Sequence, residues 1–194
     1  MSRITESAAD GDNEAGLTMI ELIIYSVLAM IVLALVGSLL INALRGQDVI
    51  TTSTQATDTG QLISKSVKRS IANASDVNSN LLSDGSELLV VYTLGPGSAP
   101  VHYCQGWLYD APTHKLYMKR TTTVAPITAN IPGNGWTLIG EGISPTTTRV
   151  FTPLVGPSGG ITLDFTVKTG TRKPVLINTS VAQRIQRSEN TGCF

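Results

Sequence analysis

LTMIELIIYSVLAMIVLALVGSLLINAL, residues Leu17 to Leu44, holds a single charged side chain, Glu21, in 28 positions. At about 1.5 Å rise per residue, a helix from Leu17 to Ile41 is about 38 Å long, more than the ~30 Å hydrocarbon core of a bilayer. No proline interrupts it. The segment is apolar on every face, so a surface helix with one buried stripe does not account for it. A core helix would need more surrounding mass than the rest of this chain supplies. A secretory signal peptide would have a basic start and a shorter apolar run. Here the preceding residues, MSRITESAADGDNEAG, set Arg3 against Glu6, Asp10, Asp12 and Glu14. The sequence therefore predicts a membrane-spanning helix close to the amino terminus.

Glu21 is the informative residue within that helix. An acidic side chain at the bilayer centre costs about 2.5–3.5 kcal/mol. Glu21 is four residues after Leu17, near an interface, so its cost is smaller. A carboxylate in a first helical turn gains about 0.3–1 kcal/mol from the helix dipole. The alternative role is to await a positive partner. A cut after Gly16 would give Leu17 a new α-amino group. That amine lies too close along the backbone to pair well within its own helix, but in a neighbouring copy, offset along the axis, it is in reach.

Gly16-Leu17-Thr18-Met19-Ile20-Glu21-Leu22 followed by a long apolar helix resembles the leader of type IV prepilins. In that family a membrane prepilin peptidase cuts after the glycine and methylates the new amino terminus. The glutamate at the fifth mature position pairs with the terminus of a neighbouring subunit. The resemblance implies cleavage between Gly16 and Leu17, N-methylation of Leu17 and an assembly salt bridge through Glu21. Leu17 stands where the family usually has Phe, and the leader is acidic rather than basic. Arg3 and Arg45 are the flanking cations, one on each side, so charge sets no orientation. A cytoplasmic amino terminus follows from the resemblance alone.

After Gly46, residues Val49, Ala56, Ile63, Val67, Ile71 and Ala74 recur at sevens, fours and threes, one helical stripe. Lys65, Lys68 and Arg69 fall off it. Gly60 and many Thr lower helix propensity, so packing must hold this half. The expectation is one helix from about Leu17 to Asn73, with Gly37 and Gly46 as points of bending or local melting. From Asp76 onward the signals are β. Leu88 to Leu94 is an apolar run. Val101–Tyr109 and Leu116–Thr122 flank Asp110-Ala111-Pro112-Thr113 as a hairpin. Trp136–Ile139 and Arg149–Leu154 are short strands. Ile161–Lys168 alternates strictly, and Val175, Ile177, Thr179 and Val181 repeat the pattern, so half-buried antiparallel strands are expected. The amphipathic helix would cover one sheet face.

The predicted class is α+β, pilin-like: a long N-terminal helix, transmembrane then amphipathic, packed on an antiparallel β-sheet. The boundaries are 1–16 for a cleaved leader, 17–45 for the membrane helix, 46–75 for the amphipathic half and 76–194 for the β domain. Leu116-Tyr117-Met118-Lys119-Arg120, Ile161-Thr162-Leu163-Asp164-Phe165 and the final Asn178-Thr179-Ser180-Val181-Ala182-Gln183-Arg184 are similar to J-type minor pseudopilins of type II secretion and W-type minor pilins. Such subunits prime or cap a filament. The implied partners are other pilin or pseudopilin subunits, the prepilin peptidase, an inner-membrane assembly platform and membrane lipid. The implied location is the cytoplasmic membrane with an extracytoplasmic C-terminal domain, then a pilus or pseudopilus. If that domain is outside the cytoplasm, Cys104 and Cys193 are favoured to pair; the alternative is two free thiols.

Lys plus Arg total 14 and Asp plus Glu total 14, against the strong positive field of a dedicated nucleic-acid binder. Residues 17–194 carry 13 basic and 10 acidic side chains, net +3. Arg149, Arg172, Lys173, Arg184 and Arg187 could form a patch, and a DNA partner would need one with aromatics. Two cysteines and two histidines do not make a four-cysteine or histidine-rich metal site. His102, beside Cys104, is the one candidate ligand. No catalytic motif such as G-x-S-x-G, H-E-x-x-H or a P-loop appears. Gly156-Pro157-Ser158-Gly159-Gly160 precedes a strand, not the helix a phosphate cradle uses. No enzyme and no cofactor are expected. The competing reading is an unprocessed, unpolymerised membrane-anchored extracytoplasmic binding module.

Overall fold

A computed structural model describes residues 18–94, 101–130, 135–155, 159–170, 172–184 and 191–194. Gly16, Leu17, the leader, Arg187 and most of the Gly156–Gly160 loop lie outside them. The chain divides into two compact units, residues 1–48 and 49–194. One helix, α1 (Met19–Ala72), contributes to both. Gly37 and Gly46 are helical within it, so neither is a point of melting.

In the first unit the helix buries almost nothing. Every large apolar side chain from Met19 to Leu44 is 45–83% exposed. Ser26 and Ser38 hydroxyls donate to the carbonyls of Ile23 and Leu35, each at 2.8 Å. That removes their need for water inside an apolar medium.

In the second unit the helix carries the expected stripe. Ala56, Ile63, Val67 and Ile71 are buried, as is Gly60. A methyl group on Gly60 would lie 2.7 Å from Ile177 Cγ1, so the missing side chain lets helix and strand approach. Ala74, the last residue of the stripe, is buried at the start of a strand. The helix end is tethered by the Thr93 hydroxyl, which donates to Ser70 O and Asn73 O at 3.3 and 3.1 Å. Those are carbonyls a helix terminus leaves unpaired.

The strands form two antiparallel sheets, not the single sheet expected. β1 (Ala74–Leu81), β2 (Glu87–Leu94), β3 (His102–Asp110), β4 (Lys115–Arg120) and β5 (Thr137–Glu141) make a five-stranded meander. β6 (Ile143–Pro145), β7 (Phe151–Pro153), β8 (Gly160–Thr169) and β9 (Arg172–Ala182) make the second sheet. There β6 and β7 pair with opposite ends of β8 along one edge, and β9 pairs along the other. The hairpin expected across Asp110–Thr113 is β3–β4. Helix and sheets share one core: Ile63, Val67 and Ile71 from α1, Leu89, Val91 and Trp107 from the first sheet, Phe151, Leu163 and Phe165 from the second.

Two joints hold the sheets together. At the first, Gly142 (φ 67°) separates β5 from β6 and turns the chain from one sheet into the other. Beside it, His114 (φ 56°) accepts from Ile143 N through its carbonyl at 3.0 Å, and its Nδ1 is 3.1 Å from Ile143 O. At the second, Glu87 is in phase with Leu89 and Val91 and points into the core, 1% exposed. Its carboxylate accepts the backbone N–H groups of Val150 (2.6 Å) and Phe151 (3.0 Å) and the Arg149 Nε–H (3.3 Å). Arg149 also donates to Ser79 Oγ at 3.0 Å. A carboxylate bonded this fully offsets much of its desolvation.

Glu87→Leu should therefore strand Arg149 and two backbone donors. The expected loss is about 3–5 kcal/mol, measured by denaturant unfolding of the full chain in detergent. A loss below about 1 kcal/mol, the range of an exposed pair, would remove Glu87 from this role. A second prediction concerns pH. Burial pushes the Tyr109 hydroxyl above the usual tyrosine range, and the charges of Glu87 and Asp110 add to it. The unfolded chain releases that proton first, so this stability is whole below about pH 10 and falls as pH rises past it. Tyr109→Phe should flatten the alkaline decline in unfolding midpoint between about pH 9 and 11.

Candidate membrane anchor and assembly site

The first described residues of α1 form a half-closed capping motif. Thr18-Met19-Ile20-Glu21 has the S/T-x-x-E spacing in which residue side chains satisfy the free N–H groups of a helix start. Glu21 N–H is 3.0 Å from Thr18 O and 3.4 Å from Thr18 Oγ1, and Leu22 N–H is 3.2 Å from Thr18 O. The Glu21 side chain turns the other way. It accepts a hydrogen bond from the Tyr25 hydroxyl, one helical turn on, at 2.9 Å.

Tyr25 is the neighbour of Glu21 that the sequence did not single out. The signal was present, since residues four apart share a helix face. Among the described residues Tyr25 is the only hydrogen-bond partner of the Glu21 carboxylate. An ionised carboxylate can accept about four hydrogen bonds, so most of its capacity stays open. No cation among the described residues lies within salt-bridge distance of it. The result is one negative charge, neutral-partnered, on a helix long and apolar enough to cross a bilayer, with none of its most apolar window buried.

Cys104 and Cys193 form a disulfide with Cα atoms 5.6 Å apart. Both are fully buried. They join Leu88, Val90, Tyr92, Leu108 and Ile127 in a second core on the outer face of the first sheet. Ile127 N–H donates to Cys193 O at 3.2 Å. The disulfide thus seats the chain end and the 121–130 segment over that face. Cys104 is therefore not a ligand beside His102, whose ring stacks on Tyr92 at 4.5 Å between centroids. Among the described residues no group of three His, Cys, Asp or Glu side chains is placed to hold a metal ion.

Arg149 is committed to Glu87, and Arg187 lies outside the described residues. The second histidine, His114, sits in the β3–β4 turn at the sheet joint. Family models, curated proteins and solved structures give no match to this chain.

Replacing both cysteines by alanine should cost about 4–5 kcal/mol, the loop-entropy value for closing about 90 residues. Amide exchange should then rise at Ile127, whose N–H bonds to residue 193, before it rises in the strands of the first sheet. Uniform exchange across the sheet would mean that the disulfide does not seat the tail.

Proposed function

We propose that the chain is a minor type IV pilin or pseudopilin, a structural subunit that primes or caps a type IV pilus, competence or type II secretion filament. The observation that carries this reading is Glu21: a carboxylate near one end of an exposed apolar helix, held among the described residues only by Tyr25. Such a charge is expensive in hydrocarbon and gains most from a cation brought to it by a neighbour. The Gly16-Leu17 motif before it supplies one, an N-methylated Leu17 amine after peptidase cleavage. The α+β layout, with the second half of the helix packed against antiparallel sheet, supports the same reading.

In this mechanism the apolar helix holds the subunit in the cytoplasmic membrane until the assembly platform extracts it. Glu21, until then bonded to an uncharged hydroxyl, gains an ion pair with the neighbour's terminus, which neutralises its charge in a dry setting. The apolar helices then bury one another, and the β domain lies outside. No reaction chemistry is assigned to it. An anchored binding module that is neither cut nor polymerised is the competing reading, and processing separates the two.

Amino-terminal sequencing and intact mass of the protein from native membranes should give a start at N-methyl-Leu17. A start at Met1 or Ser2 in cells with active prepilin peptidase overturns the proposal. Glu21→Ala should remain inserted and cleaved, yet be lost from sheared filaments by tenfold or more, on the order expected for a buried charge pair. Incorporation at the parental level would refute the assembly role.

A further inference from the structure

β9 is the outer strand of the second sheet. It pairs with β8 along one edge, and among the described residues nothing pairs with the other. Beside that edge runs a groove of about 610 Å3. Its β9 wall is made by consecutive residues, Leu176 to Thr179. Val175, Ile177, Thr179 and Val181 point toward the interior, and Leu176, Asn178 and Ser180 point away. Neighbours from both faces line one groove only if the groove follows the strand's edge.

The helical wall is basic. Lys65, Lys68 and Arg69 line it, and all three are exposed. None of them is within salt-bridge distance of a carboxylate among the described residues. Lys68 Nζ donates to Thr179 Oγ1 at 3.2 Å, which aims that cation across the groove. Lys65 and Arg69 are four apart, a like-charge spacing that destabilises a helix. No Asp or Glu stands three or four residues from any of the three. The helix dipole accounts for Arg69, in the last turn. It does not account for Lys65.

We infer that the β9 edge and the Lys65–Lys68–Arg69 flank form a docking site for an extended acidic segment of a partner protein, which adds a strand to the second sheet. The edge offers alternating N–H donors and C=O acceptors, a pattern that another backbone matches. A phosphate would satisfy the donors and leave the carbonyls facing a like charge. Self-pairing is disfavoured, because two copies meeting edge to edge would bring two basic flanks together. Carboxylates at alternate positions of the incoming strand would meet the three cations. Exposed Leu176 supplies an apolar contact on the other face. The inference does not depend on processing or polymerisation.

The test uses the full chain in phosphatidylcholine nanodiscs and labelled octapeptides of alternating Val and Glu or Val and Lys. A labelled single-stranded oligonucleotide is the third probe. The Val/Glu peptide should bind, weaken with salt and slow amide exchange at residues 176–182. Lys65→Glu/Lys68→Glu should weaken it by roughly tenfold or more and transfer preference to the Val/Lys peptide, as close charge pairs at interfaces do. Lys65→Gln/Lys68→Gln should weaken it without that reversal. Both positions are exposed, and an unchanged unfolding midpoint confirms the fold. Absence of binding, unchanged affinity in the reversed variant, protection away from β9, or tighter binding of the oligonucleotide would each overturn the inference.

Discussion

Both sheets lean on the same narrow surface, the stripe formed by Ala56, Ile63, Val67 and Ile71 on the second half of α1. Neither sheet has a core of its own on that side. Leu89, Val91 and Trp107 from one sheet and Leu163, Phe165 and Val167 from the other complete a single apolar interior with it. The helix is a poor helix former here, rich in Thr and interrupted by Gly60. Its stability is tertiary, and the sheets' mutual placement is in turn set by the helix. Gly60 shows how tight the fit is, since Ile177 occupies the space a side chain would need. The residues that defeat local propensity are the ones that permit packing.

Much of the fold was legible because it follows from periodicity. The run from Leu17 to Leu44 announces itself by composition, and the buried stripe by spacing. β8 and β9 are written as alternation in Ile161–Lys168 and Val175–Val181. β1, ASDVNSNL, was not legible. It has one face of small and polar residues, and its burial is created by the neighbouring strand and helix end. β6 is three residues long, too short to carry a period. The division into two sheets depends on Gly142 and on the position of Glu87, and neither makes a pattern. A glutamate opening a strand looks like a solvent-facing residue until the chain 62 residues on brings it two backbone donors and a guanidinium.

The same distinction applies to the candidate site residues. Glu21 stood out because a charge in an apolar run is rare. Its tie to Tyr25 needed the side-chain direction on the helix, which spacing permits but does not impose. The Cys104–Cys193 pair was available by count, yet its structural work was not. It pins the final residues against a face of the first sheet that has an apolar core of its own. Lys65, Lys68 and Arg69 were visible as residues off the stripe. Their common groove exists only because β9 lies on that side of the helix.

The disulfide also fixes where a pulling force can go. Tension applied between the amino-terminal helix and Phe194 enters through α1, β1, β2 and the first part of β3. At Cys104 it crosses directly to Cys193. The intervening 89-residue separation, which contains β4, β5 and the whole second sheet, lies outside that line. Roughly 300 Å of potential chain extension is thereby withheld. Under load α1, β1, β2 and the start of β3 carry the tension, while the chain of β4, β5 and the second sheet cannot be drawn out as long as the disulfide holds.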